Sequence, residues 1–173
     1  MINYRAFIVG VKTTRLTQKE KKFLKKYKPW GVILFKRNIK NIKQTRELTS
    51  SIRKIFGNNK YPILIDQEGG RVNRLKNLIS FDNLTSEFFG KKFINNPKEF
   101  SSFYKLFIDK TSELLKLIGV NINTSPVLDL RVKGSSNIIG DRSFSDNPKI
   151  VSKIGDFCIN SYHQNGIATV IKH

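Results

Sequence analysis

At 173 residues the chain is long enough for one ordinary domain or for part of a larger one. Its 39% apolar content, with 13 Phe, is enough to build a core and excludes a disordered chain. The formal charge of +19 invites a nucleic-acid reading, yet most of the 32 basic residues are lysines scattered over nearly every predicted helix and loop, with no Arg-rich arm and no basic stripe interleaved with aromatics, so no nucleic-acid partner is expected and a compositional bias is the simpler reading.

Residues 4–11, Tyr-Arg-Ala-Phe-Ile-Val-Gly-Val, form the first apolar run and predict a strand. The N-terminus lacks the apolar core of a secretory signal, and no stretch approaches the ~18 apolar residues that span a bilayer. The expectation is a cytoplasmic chain without a membrane partner. Thr17 as N-cap and Glu20 three residues later make a capping box, and the helix that follows sets Phe23, Leu24 and Tyr27 on one side and lysines on the other until it stops before Pro29. Trp30 to Phe35 reads as the second strand, closed by Lys36-Arg37-Asn38. A helix from about Asn41 to Phe56 carries Ile42, Thr45, Leu48, Ile52 and Ile55 on one stripe and ends at Gly57-Asn58-Asn59.

The third apolar run, Tyr61 to Ile65, stops abruptly at Asp66-Gln67-Glu68-Gly69-Gly70-Arg71-Val72-Asn73-Arg74. A strand that delivers carboxylates, an amide, a Gly-Gly turn and two guanidiniums at one end has the form of a site. Asp66 either serves that site or pairs with Arg71 or Arg74.

A short helix is predicted around Ser86 to Phe93, and Pro97 opens a long one whose Phe100, Phe103, Phe107, Leu114 and Leu117 keep helical rhythm up to Gly119. Val120 to Leu130 reads as a fourth strand that again ends in a carboxylate, Asp129. The loop from Arg131 to Asp146, with Gly134, Ser135, Ser136 and Asn137, is long enough to be functional. Within it Arg142 either contacts a ligand or braces the loop through Asp141 or Asp146. A helix from Pro148 to His163 holds the single cysteine, Cys158, which rules out an intrachain disulfide or a Cys-based metal site. Gly166 to Ile171 is a fifth strand, followed by Lys172-His173. His163 and His173 match no metal-ligand spacing, and no metal or cofactor is expected.

Strand and helix alternate about five times, with connections suited to parallel crossovers. A doubly wound open sheet and a (β/α) barrel both fit. No glycine-rich phosphate cradle follows the first strand, which weakens the first. Polar clusters after strands two to five favour the second, although five strands are too few to close a barrel of ~250 residues.

Five motifs together resemble glycoside hydrolase family 3: Trp30 to Asn38, Ile65 to Arg74, Asn123 to Asp129, Gly140 to Phe144, and Lys172-His173. They are most similar to its bacterial β-N-acetylglucosaminidase branch, which trims N-acetylglucosamine from cytoplasmic muropeptides in peptidoglycan recycling. The resemblance implies a partial (β/α)8 TIM barrel of about five βα units, residues 1–173 being its N-terminal portion, and a retaining hydrolase that works through a glycosyl-enzyme. It also implies a carbohydrate partner and no cofactor, and family members are often monomeric. In that branch the acid/base histidine lies on the loop after the Lys-His pair and the nucleophilic aspartate lies later, so no catalytic residue is expected here. Motif match assigns substrate binding to Asp66, Arg74, Arg142, Lys172 and His173, while Glu68 is expected to pair with a nearby arginine and Asp129 to be structural. A catalytically inactive carbohydrate-binding protein is the alternative reading.

Overall fold

A computed structural model describes residues 3–132, 134 and 137–173 of the chain; Ser135 and Ser136 of the predicted loop lie outside the described residues. Among the described residues five strands form one sheet: β1 (Arg5–Gly10), β2 (Pro29–Leu34), β3 (Ile63–Ile65), β4 (Ile122–Asn123) and β5 (Ala168–Thr169). Five α-helices accompany them: α1 (Gln18–Tyr27), α2 (Ile42–Phe56), α3 (Ser86–Asn95), α4 (Pro97–Leu117) and α5 (Pro148–Gln164). The strands run parallel in sequential order, β1 to β5, each paired with the next. A doubly wound sheet reverses its order at a switch point, and this one does not. The architecture is α/β, an arc of a (β/α) barrel.

The helix boundaries follow local chemistry. Thr17 caps α1 by accepting from Glu20 N while the Glu20 carboxylate accepts from Thr17 N at 2.7 Å. Asn41 caps α2 by accepting from Gln44 N, and Gly57 ends it in the left-handed conformation at φ 59°. The buried seam of α2 runs through Thr45, Leu48, Thr49, Ile52 and Phe56, so Ile42, expected on the apolar stripe, is left exposed at the first turn. Leu117, at the last turn of α4, is exposed likewise. On α1 only Leu24 is buried, and Phe23 faces out.

Strands four and five are shorter than their apolar runs suggest. Beyond Asn123 the chain passes through Thr124 and Ser125 to Pro126, which has no N–H to give a ladder. Pairing resumes further on: Leu128 N donates to Lys172 O at 2.7 Å, and Val127 and Lys172 form an isolated parallel bridge. Asp129 therefore sits on an extension past the strand and not at its end.

The main core lies between the sheet and the helices. Ile63 and Ile65 of β3 belong to it with Leu48, Ile52, Ile108, Leu115, Ile154 and Cys158. Its other half is aromatic. Phe89 of α3 packs tilted against Tyr104 of α4 at 4.4 Å, Phe93 meets Phe100 edge-on at 5.1 Å, and Tyr104 reaches Phe144 on the loop before α5 at 6.1 Å. Each such ring contributes about 1.5–3 kcal/mol by leaving water, with a further ~0.5–1.5 kcal/mol for a well-placed pair. This packing clamps the loop that carries Arg142. Opposite the core, parallel register places Ile8, Ile33, Leu64, Ile122 and Ala168 along the concave inner face of the sheet.

Candidate functional site at the strand C-termini

The polar residues that follow β3 are held by the last residue of β4. The Asn123 side chain clasps the main chain of Gln67 from both sides, accepting from Gln67 N at 3.0 Å and donating to Gln67 O at 2.9 Å. Gln67 Oε1 in turn accepts from Arg74 N at 2.9 Å and Leu75 N at 3.1 Å. Between these anchors the chain makes a tight turn at Gly69 (φ 95°) and Gly70 (φ 55°), closed by Val72 N donating to Gly69 O at 3.1 Å. A Cβ on Gly69 would stand 2.3 Å from Leu84 O, so only glycine allows this close approach.

Four of the five residues expected at the site come together on this scaffold. Lys172 Nζ lies 2.9 Å from Asp66 Oδ1 and 2.6 Å from Glu68 Oε1. Arg142 grips the same Glu68 with two arms, Nε to Oε2 at 2.8 Å and Nη2 to Oε1 at 2.9 Å. Arg74 Nη2 is 3.6 Å from Asp66 Oδ2, and the Thr124 hydroxyl donates to Asp66 Oδ1. Residues far apart in sequence thus share one lip of the sheet. The fifth, His173, points to a different carboxylate, with Nδ1 2.6 Å from Asp129 Oδ2.

The carboxylate partner of Arg142 is not the one that its loop offers. Arg142 does not brace its loop through Asp141 or Asp146, because Asp141 is taken by Arg71 at 2.9 Å. Arg71 also donates to the carbonyls of Asn137, Ile138 and Ile139 at 2.6, 2.7 and 2.8 Å and is the main brace of the loop, with Arg142 Nη1 adding a longer bond to Ile138 O at 3.4 Å. Glu68 takes an arginine partner as expected, but the partner is 74 residues away and shares it with Lys172. Thr124 was not singled out by the sequence. Its signal was its place just past β4, beside the strand that Asp66 follows.

The electrostatics are those of a desolvated, compensated cluster. The Glu68 side chain is 3% exposed, and those of Arg142 and Lys172 are 15% exposed. Burial alone would raise the Asp66 carboxyl; the Thr124 hydroxyl, the Lys172 ammonium and the Arg74 guanidinium outweigh it and hold the group below its ordinary value. The Glu68 carboxylate raises Arg142 above its ordinary value against a smaller opposing effect of burial. The Asp66 carboxylate and the Arg142 guanidinium are thus each shifted toward the charged form. Charged groups of this kind make hydrogen bonds to neutral hydroxyls that are stronger than neutral pairs. Among the described residues there is no cluster of metal-ligating side chains.

The chain matches the glycosyl hydrolase family 3 N-terminal domain over residues 5–173. It is 33% identical over 170 residues to a beta-hexosaminidase of Xanthomonas euvesicatoria, an alignment that takes in 96% of this chain and 48% of that protein. It is 36% identical over 166 residues to a beta-hexosaminidase of Hydrogenovibrio crunogenus, covering 96% of this chain and 46% of the relative. In three dimensions it resembles native NagZ from Neisseria gonorrhoeae with a TM-score of 0.89 at 27% identity, covering 99% of this chain and 50% of that one. NagZ in complex with N-trifluoroacetyl-D-glucosamine gives the same score, identity and coverage. The chain thus spans about half the length of the proteins it matches. On the match across almost its whole length, the chain belongs to glycoside hydrolase family 3.

Proposed function

We propose that residues 1–173 form the N-terminal portion of a β-N-acetylhexosaminidase barrel and supply its sugar-gripping rim. The observation that carries this reading is the convergence of Asp66, Arg74, Arg142 and Lys172 around Glu68 at one lip of the sheet. Asp66 accepts from the hydroxyls of a terminal N-acetylglucosamine, Lys172 and Arg142 donate to neighbouring oxygens, and Arg74 holds Asp66 from behind. His173, next to Lys172 in the chain and paired with Asp129, is the residue we assign to a further hydroxyl.

Hydrogen bonds that tighten as the ring becomes oxocarbenium-like lower the barrier by several kcal/mol, about the amount that such rim contacts supply in glycoside hydrolysis. Retention also needs a nucleophilic carboxylate and a proton donor, and we assign neither to these residues. Asp66 and Glu68 are each bound to a lysine and an arginine, which suits gripping better than attack. The substrate class is a glycan with non-reducing β-N-acetylglucosamine, with muropeptides of peptidoglycan recycling in the cytoplasm as the specific case. It is supported by the N-acetylglucosamine analogue bound to the similar NagZ chain.

Titration calorimetry with N-acetylglucosamine, paired with a chromogenic β-N-acetylglucosaminide assay, tests both halves. The 173-residue chain should bind the sugar, lose binding on Asp66→Ala, and turn over nothing. Absence of heat at millimolar sugar removes the grip. Turnover at the rate of a complete hydrolase removes the assignment of catalysis to residues outside the chain.

A further inference from the structure

The positive charge is not evenly spread. Residues 1–60 hold 17 of the 32 basic side chains and only two of the 13 acidic ones, Glu20 and Glu47, so most of the +19 falls on α1, α2 and their flanking turns. Among the described residues every ion pair draws both partners from Asp66 onward. Glu20, whose carboxylate accepts from Lys12 N at 2.8 Å, Thr17 N at 2.7 Å and the Thr17 hydroxyl at 2.6 Å, and Glu47 offset only two of the 17 positive charges. Such a face carries a strong, uncompensated field.

On α1, Lys19, Lys22 and Lys26 recur three and four residues apart, opposite the buried Leu24, and all three are exposed. Beside them stands Phe23, 41% exposed, its ring braced on Tyr27 at 4.7 Å. Trp30, 43% exposed, follows just past the C-terminal end of the same helix. A lone exposed aromatic needs no explanation. Phe23 on the helix and Trp30 at the start of β2, set among lysines that make no ion pair among the described residues, with Lys26 lying over the Tyr27 ring at 5.2 Å, match the composition of a face that lies on a lipid headgroup surface.

We propose that the outer face of α1 and α2 docks this chain on an anionic lipid bilayer, with the lysines at the headgroups and Phe23 and Trp30 entering the interfacial layer. Association is peripheral, since no helix among the described residues is long and apolar enough to cross a membrane. Lipid is favoured over nucleic acid by the side chains themselves. Within residues 1–60 lysines outnumber arginines by more than two to one, and point charges suit a diffuse anionic surface, whereas base and phosphate recognition favours guanidinium forks. The Phe23 ring is also packed on Tyr27 and not open on both sides as a stacking platform for bases.

Co-sedimentation of the chain with vesicles decides it, using phosphatidylcholine alone and phosphatidylcholine mixed with phosphatidylglycerol. Binding to the mixed vesicles should exceed binding to the neutral ones at least tenfold and fall as salt is added. The triple variant K19Q/K22Q/K26Q should lose about a hundredfold in affinity. F23S should weaken vesicle binding severalfold and leave binding to duplex DNA unchanged, with the melting temperature of each variant kept within a few degrees as a check on folding. Equal binding to neutral and mixed vesicles, full binding by the triple variant, or tighter binding to DNA with no effect of F23S on vesicles overturns the proposal.

Discussion

Glu68 receives both arms of Arg142, at 2.8 and 2.9 Å, from across a loop that begins 63 residues after it, and holds Lys172 at 2.6 Å on its other side. One nearly buried carboxylate therefore sets the geometry of two cations that reach the rim from different parts of the chain. Glu68→Gln keeps the shape and removes the charge, leaving two part-buried cations to share Asp66. The expected cost is about 2–4 kcal/mol of folding stability, read as a lower denaturant midpoint. Sugar affinity should fall more than tenfold, because Arg142 loses the fork that orients it. Arg142→Lys should lose affinity with less loss of stability, since an ammonium keeps the charge and not the bidentate geometry. A Glu68→Gln protein with unchanged midpoint and affinity would show that the carboxylate orients nothing.

Asp66 makes the rim sensitive to acid in a defined direction. Its carboxyl is lowered in the folded protein, burial being outweighed by Thr124, Lys172 and Arg74. The folded state then binds that proton less readily than the unfolded chain, whose Asp sits near 3.8. The stabilisation is fully present above that value and is lost as pH falls through the lower native one. The melting temperature should be flat with respect to Asp66 above about pH 5 and drop below about pH 4. Asp66→Asn should be less stable at neutral pH and show a shallower acid drop. An identical acid slope in the two proteins would remove Asp66 from the account.

The loop bearing Arg142 is fastened by contact as well as by charge. A Cβ added to Gly90 would stand 1.7 Å from Phe144 O and 2.6 Å from Phe144 C, so α3 and this loop touch backbone to backbone. Both atoms belong to the main chain, and no rotamer change relieves the overlap. Gly90→Ala should destabilise by about 3 kcal/mol and raise hydrogen exchange at residues 140–146. Gly57→Ala is a useful contrast: nothing lies within 4 Å of its Cβ, and its φ of 59° alone sets a cost of about 1 kcal/mol.

Much of this arrangement is visible in the residues alone, for reasons that also explain what was not. The capping box at Thr17 and Glu20, the stop at Gly57 and Pro97 at the first turn of α4 act over four residues, so the helices are found where their local signals place them. The polar end of β3 was legible because an apolar run cannot continue into Asp66-Gln67-Glu68 without leaving the core. Partner choice was not legible. Whether Arg142 reaches Asp141 or Glu68 depends on Arg71 taking Asp141 first, a competition settled only by the folded loop. Strand length failed for a similar reason: β4 has a strand-like sequence past Asn123, but Asn123 spends its side chain on Gln67, and Pro126 has no ladder hydrogen to give. The concentration of charge in residues 1–60 was present in the sequence and is obscured when lysines are judged only by their longest run.

β1 and β5 are the outer strands of the sheet, so each offers a row of main-chain groups with no strand beyond it among the described residues. Next to those rows stand apolar side chains that the sheet does not cover: Ile8 on β1, and Val170 and Ile171 just after β5. The inner face between them, from Ile33 through Leu64 to Ile122, continues the same apolar layer. An edge that is both unpaired and apolar templates another strand, and the high net charge opposes this only over about a Debye length, ~10 Å at 0.1 M salt. The chain on its own should therefore associate as its concentration rises, and more readily with added salt, which light scattering after size-exclusion chromatography would read as a growing mass. Ile8→Lys with Val170→Lys places a charge on each edge, the device that natural sheets use against such pairing, and should return the chain to a single species. If the unaltered chain stays monodisperse at high concentration and melts cooperatively as a monomer, the arc is self-sufficient and its edges do not need the covering that its relatives' greater length suggests.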